Sequence, residues 1–170
     1  MPVRERFDLP GLIDCGANAP CHVLAALLTK TDTAVREGRT TVEIWGSGRP
    51  RREFLHVDDL ADAVVFLIKT WSDEEPVNIG TGSDVTIAEL AQLIADIVGF
   101  NGRFVFDPTK PDGTPRKLLD ISKVTELGWR PSIDLETGIR QTHDWYRTAR
   151  VVPGLSPGHR NRGACWMLCR

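Results

Sequence analysis

Apolar residues recur at helical spacing in several long segments of the chain and alternate with polar ones in short segments between them. In "HVLAALLTKTDTAVREG" (22–38), Leu24, Leu27, Leu28 and Val35 can share one helical face, and Gly38 stands where a helix C-terminus favours glycine. "TVEIW" (41–45) alternates as a strand does, "GSGRP" turns, and "REFL" (52–55) resumes extended structure, a pattern consistent with a hairpin. "VDDLADAVVFLIKTW" (57–71) reads as a second helix, capped by Asp58 or Asp59, with Leu60, Val64, Leu67 and Ile68 as its buried stripe. "PVNIG" (76–80) reads as a short buried strand. Thr86 and Glu89 in "TIAELAQLIADIVG" form an S/T-x-x-E capping box, opening a third helix with Leu90, Leu93, Ile94 and Ile97 inward and Gly99 at its end. "RFVFD" (103–107) is another strand, and helices follow over 122–128 and 135–150.

The two ends differ from this body. Residues 1–21 mix Pro, Gly, Asn and Asp without periodicity and form an irregular lead-in. Residues 151–170 hold no acidic residue, several Gly and Pro, and no period, which predicts a disordered or loosely attached tail. The expected architecture is therefore one mixed α/β domain over residues 22–150.

Composition narrows the possibilities. The 170 residues are enough for one domain with a buried core, and 41% hydrophobic with 26% charged residues is ordinary for a globular protein. A formal net charge of −2 argues against a nucleic-acid partner. No apolar run reaches the length of a membrane span, and "MPVRERFDLPG" does not read as a secretory signal. Cys15, Cys21, Cys165 and Cys169 match neither a disulfide framework nor a zinc knuckle, which fits a reducing cytoplasm; Cys165 and Cys169 lack a second pair to complete a metal site.

Few motifs promise chemistry. "WGSGRPRREF" (45–54) begins like a G-x-G-x-x-G fingerprint, but Arg51 takes the place of the third glycine. The segment also leads into extended structure, whereas a dinucleotide loop opens a helix. No phosphate-binding P-loop and no serine in a nucleophile elbow occurs. The same segment does bring Arg49, Arg51 and Arg52 close to a rigid turn, and "KPDGTPRKLLD" (110–120) brings Arg116 and Lys117 after a proline-stiffened one. If the two loops converge they suit a diphosphate, which accepts forked bonds from Arg and point-charge contacts from Lys. The same charges also suit a solvated surface.

His22 stands at the entrance of the first helix, where it can act as a general acid or base or be a plain helix-terminal residue. His56 reads as structural, and His143 and His159 have no partner nearby in sequence. Asp58 and Asp59 are better explained by the helix start than as a catalytic pair.

Taken together, "WGSGRPRREFLHVDDLADA", "VNIGTGSDVTIAELAQLIADIVGFNGRFVFD" and "KPDGTPRKLLDISKVTELGW" resemble the C-terminal, substrate-binding half of GDP-L-fucose synthases. These are epimerase–reductases of the extended short-chain dehydrogenase family, and the resemblance runs from about His22 to Tyr146. It implies a small α/β substrate-binding domain that, in the family, accompanies an NADPH-binding Rossmann half. The reaction it implies is conversion of GDP-4-keto-6-deoxy-D-mannose to GDP-L-fucose, by epimerisation at C3 and C5 and reduction at C4. His22 matches the family's acid in epimerisation. Lys30, Trp45, Arg52 and Lys117 match positions that bind the GDP-sugar, although Lys30 replaces an arginine.

The glycine-rich loop, the Tyr-x-x-x-Lys pair and the catalytic Ser and Cys of the Rossmann half are expected to be absent. NADPH binding would then need another chain, and this one would be inactive alone. Ala25 stands where the family has proline. The implied partners are a GDP-sugar, with a second copy or a separately encoded Rossmann half. The alternatives are a non-catalytic nucleotide-sugar-binding or interaction protein, and a piece of another sugar-nucleotide epimerase.

Overall fold

Leu24, Leu27 and Leu28 lie one helical turn apart or less, and all three are buried on helix α1 (Val23–Arg36). A computed structural model describes residues 22–151 and 166–168. The leucines of α1 pack against helix α3 (Ile87–Val98), whose Ile87, Leu90, Ala91 and Ile94 form the facing stripe. Ile44, Phe54 and Ile139 complete this main core. Val35, placed by its spacing on the same face of α1, is instead exposed at the last turn.

Helix α3 starts and stops as its sequence dictates. Thr86 Oγ1 accepts from Glu89 N at 3.0 Å, and Glu89 Oε2 accepts from Thr86 N at 2.8 Å. Gly99 ends the helix in the left-handed region, at φ 79°.

Strand β1 (Thr41–Trp45) pairs in parallel with β5 (Arg103–Asp107), from Thr41 opposite Arg103 to Trp45 opposite Asp107. The expected hairpin does not form. Gly46 and Gly48 adopt φ of 83° and 74°, and a Cβ at Gly48 would overlap the Phe106 ring. The chain therefore turns away from β1 and enters β2 (Arg51–Arg52) in a different sheet. There β2 lies between β4 (Val85–Thr86, antiparallel) and β6 (Arg116–Lys117, parallel).

After β3 (Phe54–His56) comes helix α2 (Val57–Thr70), whose cap and face both differ from expectation. The cap is His56, whose Nδ1 accepts from Asp58 N at 3.3 Å. Asp59 is buried, accepting from Ser132 N, Ser132 Oγ and Ile133 N at 3.1, 2.8 and 3.0 Å. Anchoring Asp59 rotates the helix so that Ala63 is buried, while Val64, Val65 and Ile68 face outward. Leu55, Ala63, Val124 and Trp129 form a second cluster under α2 and the short helix α4 (Ser122–Glu126), which ends earlier than expected.

Residues 76–80 pack Val77 and Ile79 on that cluster without forming a strand. Helix α5 (Leu135–Val151) closes on α1, with His143 Nε2 3.3 Å from Asp32 Oδ1. Within the segment read as a disordered tail, β7 (Trp166–Leu168) pairs antiparallel with β3. An otherwise open β3 edge accounts for that pairing. The lead-in, all four cysteines, His159 and the rest of the tail lie outside the described residues. Among the described residues no helix is long and apolar enough to cross a membrane.

Candidate functional site

His22, Ala26 and Lys30 fall at four-residue intervals along the start of α1 and face one cavity of about 350 Å³. His22 is the N-cap residue, yet its side chain makes no capping bond and remains exposed at the rim. Trp45 at the end of β1 forms a wall, Arg52 on β2 another, and Leu27, Ile44 and Ile87 the apolar floor. Lys30 Nζ donates to Glu43 O at 3.3 Å and sits 5.6 Å from the centre of the Trp45 ring. The indole Nε1 of Trp45 donates to Glu43 Oε1 at 3.2 Å, which orients a ring that is 57% exposed. Four of the five residues singled out from sequence thus share one cavity.

Lys117, the fifth, does not line it. Parallel pairing of β2 and β6 sets Lys117 beside Arg52 and Arg116 beside Arg51. Alternation along a strand sends adjacent side chains to opposite faces, so the four cations form two layers. Asp84 takes one layer: its Oδ1 accepts from Arg51 Nε at 2.7 Å and its Oδ2 from Arg116 Nε at 2.5 Å. The Arg116 and Arg51 bonds hold the Asp84 carboxyl below its ordinary pKa. Arg51 and Arg116 are structural in this arrangement, whereas Arg52, whose Nη1 donates to Arg51 O at 2.7 Å, and Lys117 form no ion pair among the described residues.

The two basic loops do converge, through residues that spacing did not single out. Asp112 Oδ1 accepts from Ser47 N at 2.5 Å and its Oδ2 from Ser47 Oγ at 2.7 Å. Those bonds, the hydroxyl's first, depress the Asp112 pKa and latch the 110–117 loop onto the 46–50 turn. Glu53 is buried beside Arg52; its Oε1 accepts from Thr81 N and Gly82 N at 2.6 and 2.7 Å, and its Oε2 from Leu119 N at 3.0 Å. It ties the 80–82 turn to the segment just after Lys117. Asp112 lies within the quoted loop, but an Asp before Gly reads as an ordinary turn residue. Nothing local in sequence marks Glu53 or Asp84.

A dinucleotide cofactor does not fit the described residues. Its diphosphate needs a glycine-rich turn that opens a helix. The turn at Gly46 and Gly48 leads into β2, and α2 and α3 follow strands directly with no glycine between. No cluster of three or more His, Cys, Asp or Glu side chains able to hold a metal occurs among the described residues.

Residues 11–80 match the profile of the NAD dependent epimerase/dehydratase family. Over 125 residues the chain is 56% identical to GDP-L-fucose synthase 1 of Arabidopsis thaliana, covering 74% of this chain and 39% of the relative. The chain is homologous to the GDP-L-fucose synthases. It is 48% identical over 134 residues to the Escherichia coli GDP-L-fucose synthase, covering 74% of this chain and 42% of the relative. The crystal structure of a GDP-L-fucose synthetase from Naegleria fowleri bound to NADP superposes with a TM-score of 0.72 at 29% identity. That match covers 77% of this chain and 41% of the other. The chain thus spans about two-fifths of the length of these GDP-L-fucose synthases.

Proposed function

We propose that this chain is the GDP-sugar-binding part of a GDP-L-fucose synthase, an enzyme that makes GDP-L-fucose from GDP-4-keto-6-deoxy-D-mannose with NADPH as reductant. The observation that carries this reading is the single cavity gathering His22, Lys30, Trp45 and Arg52. Its apolar floor suits a flat or weakly polar group, and its cationic walls suit a diphosphate. Each charge-assisted hydrogen bond to phosphate contributes about 1.5–3 kcal/mol net, so two or three give roughly micromolar affinity.

In the reaction, the C4 ketone makes the protons at C3 and C5 acidic. Epimerisation removes each proton and returns one to the opposite face. His22 holds the returned proton on its imidazole at the rim of the cavity, where a ring uncommitted to capping can reach the sugar. Arg52 and Lys117 anchor the diphosphate and so fix which sugar carbon meets His22. The hydride for C4 would come from NADPH held outside the described residues, which offer no glycine-rich turn opening α2 or α3. On this reading the chain binds the sugar nucleotide and works with a cofactor-binding half or with a second copy.

Calorimetric titration with GDP-L-fucose, with GDP and UDP alongside, tests this reading. Saturable binding that prefers the guanine nucleotide supports it. No binding by a folded sample, or equal binding of UDP, overturns it.

A further inference from the structure

Trp45 carries a second cation that the site as built so far leaves unused. Lys110 Nζ lies 5.6 Å from the centre of the indole ring, the same distance as Lys30 Nζ. Both are within cation–π range, and no carboxylate among the described residues forms an ion pair with either ammonium. Two acids lie close by: Glu43 is bonded to the indole N–H, and Asp107, held below its ordinary pKa first by its Thr109 bonds and also by the Lys110 charge, is committed to Thr109. Two ammonium groups beside one exposed ring make a positive patch that attracts an anion.

The position of Lys110 is set by its neighbours. Trp45 and Asp107 face each other at the ends of β1 and β5, and Gly46 N donates to Asp107 O at 2.9 Å. Lys110 N donates to Asp107 O at 3.2 Å, and Asp107 Oδ1 accepts from Thr109 N and Oγ1 at 3.0 and 2.6 Å. Two residues beyond Lys110, Asp112 is fastened to Ser47. A turn pinned on both sides of Lys110 fixes where its backbone stands beside the ring, so the exposed side chain starts from a set position.

We propose that Lys110 is a further anion-binding residue of the site, flanking Trp45 with Lys30 to hold the diphosphate of a nucleoside diphosphate. The proposal rests on the GDP-sugar reading above. The test titrates the full chain and its Lys110→Gln variant with GDP and with guanosine, at low and at physiological ionic strength. Lys110→Gln weakens GDP by about tenfold, with a shallower salt dependence, and leaves guanosine unchanged. Lys110→Arg restores most of the GDP affinity, and Lys69→Gln, an exposed lysine on α2, changes nothing. Wild-type affinity for GDP in Lys110→Gln overturns the assignment while the GDP-sugar reading stands. An equal loss for guanosine overturns the diphosphate role. A folded wild-type chain that fails to bind GDP overturns both.

Discussion

Arg52 and Lys117 stand side by side across the parallel strands β2 and β6, one position beyond Arg51 and Arg116, which share Asp84. A basic loop in the sequence thus resolves into two kinds of arginine and lysine. One layer is neutralised within the fold, and the other forms no ion pair among the described residues.

Substituting the open layer affects binding before stability. Arg52→Ala and Lys117→Ala each weaken GDP-L-fucose by about tenfold or more, while their melting midpoints stay close to wild type. Calorimetry paired with thermal melts checks both halves of this statement.

The neutralised layer behaves in the opposite way. Asp84→Asn lowers the melting midpoint, because Arg51 and Arg116 are left adjacent without their shared carboxylate. The folded Asp84 pKa is depressed, so its contribution is complete above the unfolded carboxylate value, about 3.9, and is lost as pH falls through the folded value. The gap between wild type and Asp84→Asn is therefore constant near neutrality and closes below about pH 4. Denaturation midpoints measured from pH 3 to pH 7 read it directly.

Glu53→Ala costs about 2–4 kcal/mol, since three backbone N–H groups converging on one buried carboxylate lose their acceptor at once. It also loosens the segment after Lys117, so the GDP affinity of the residual folded protein falls with it. Urea denaturation gives the first quantity and calorimetry the second.

The outward face of α2 carries Val64, Val65 and Ile68, the last of them 76% exposed. The chain on its own therefore binds hydrophobic dyes and self-associates at high concentration. Val65→Lys with Ile68→Lys reduces both without lowering the melting midpoint. Sedimentation velocity and dye fluorescence report the change.

Local chemistry was enough for the elements whose signals are local. The helical spacing of Leu24, Leu27 and Leu28, the Thr86–Glu89 box and the alternation in 41–45 each act within a few residues, and each element formed where they indicate. The basic residues of the site were legible as types, and the family resemblance selected among them.

Tertiary contacts decided the rest. The phase of α2 turns on Asp59, whose partners Ser132 and Ile133 lie more than 70 residues away, so its apolar pattern placed Leu60 and Leu67 on the packed side but misplaced Val64 and Ile68. The partner of β1 is β5 rather than the nearby 52–55 segment, because two left-handed glycines redirect the chain between them. Which cations stay outside an ion pair depends on Asp84, some 30 residues from either arginine it holds. By itself the sequence determined α1, α3 and the strand at 41–45, because those choices are made by neighbouring residues. The fold decided which charges are spent and which stay open, because a carboxylate neutralises whichever cation long-range packing brings to it.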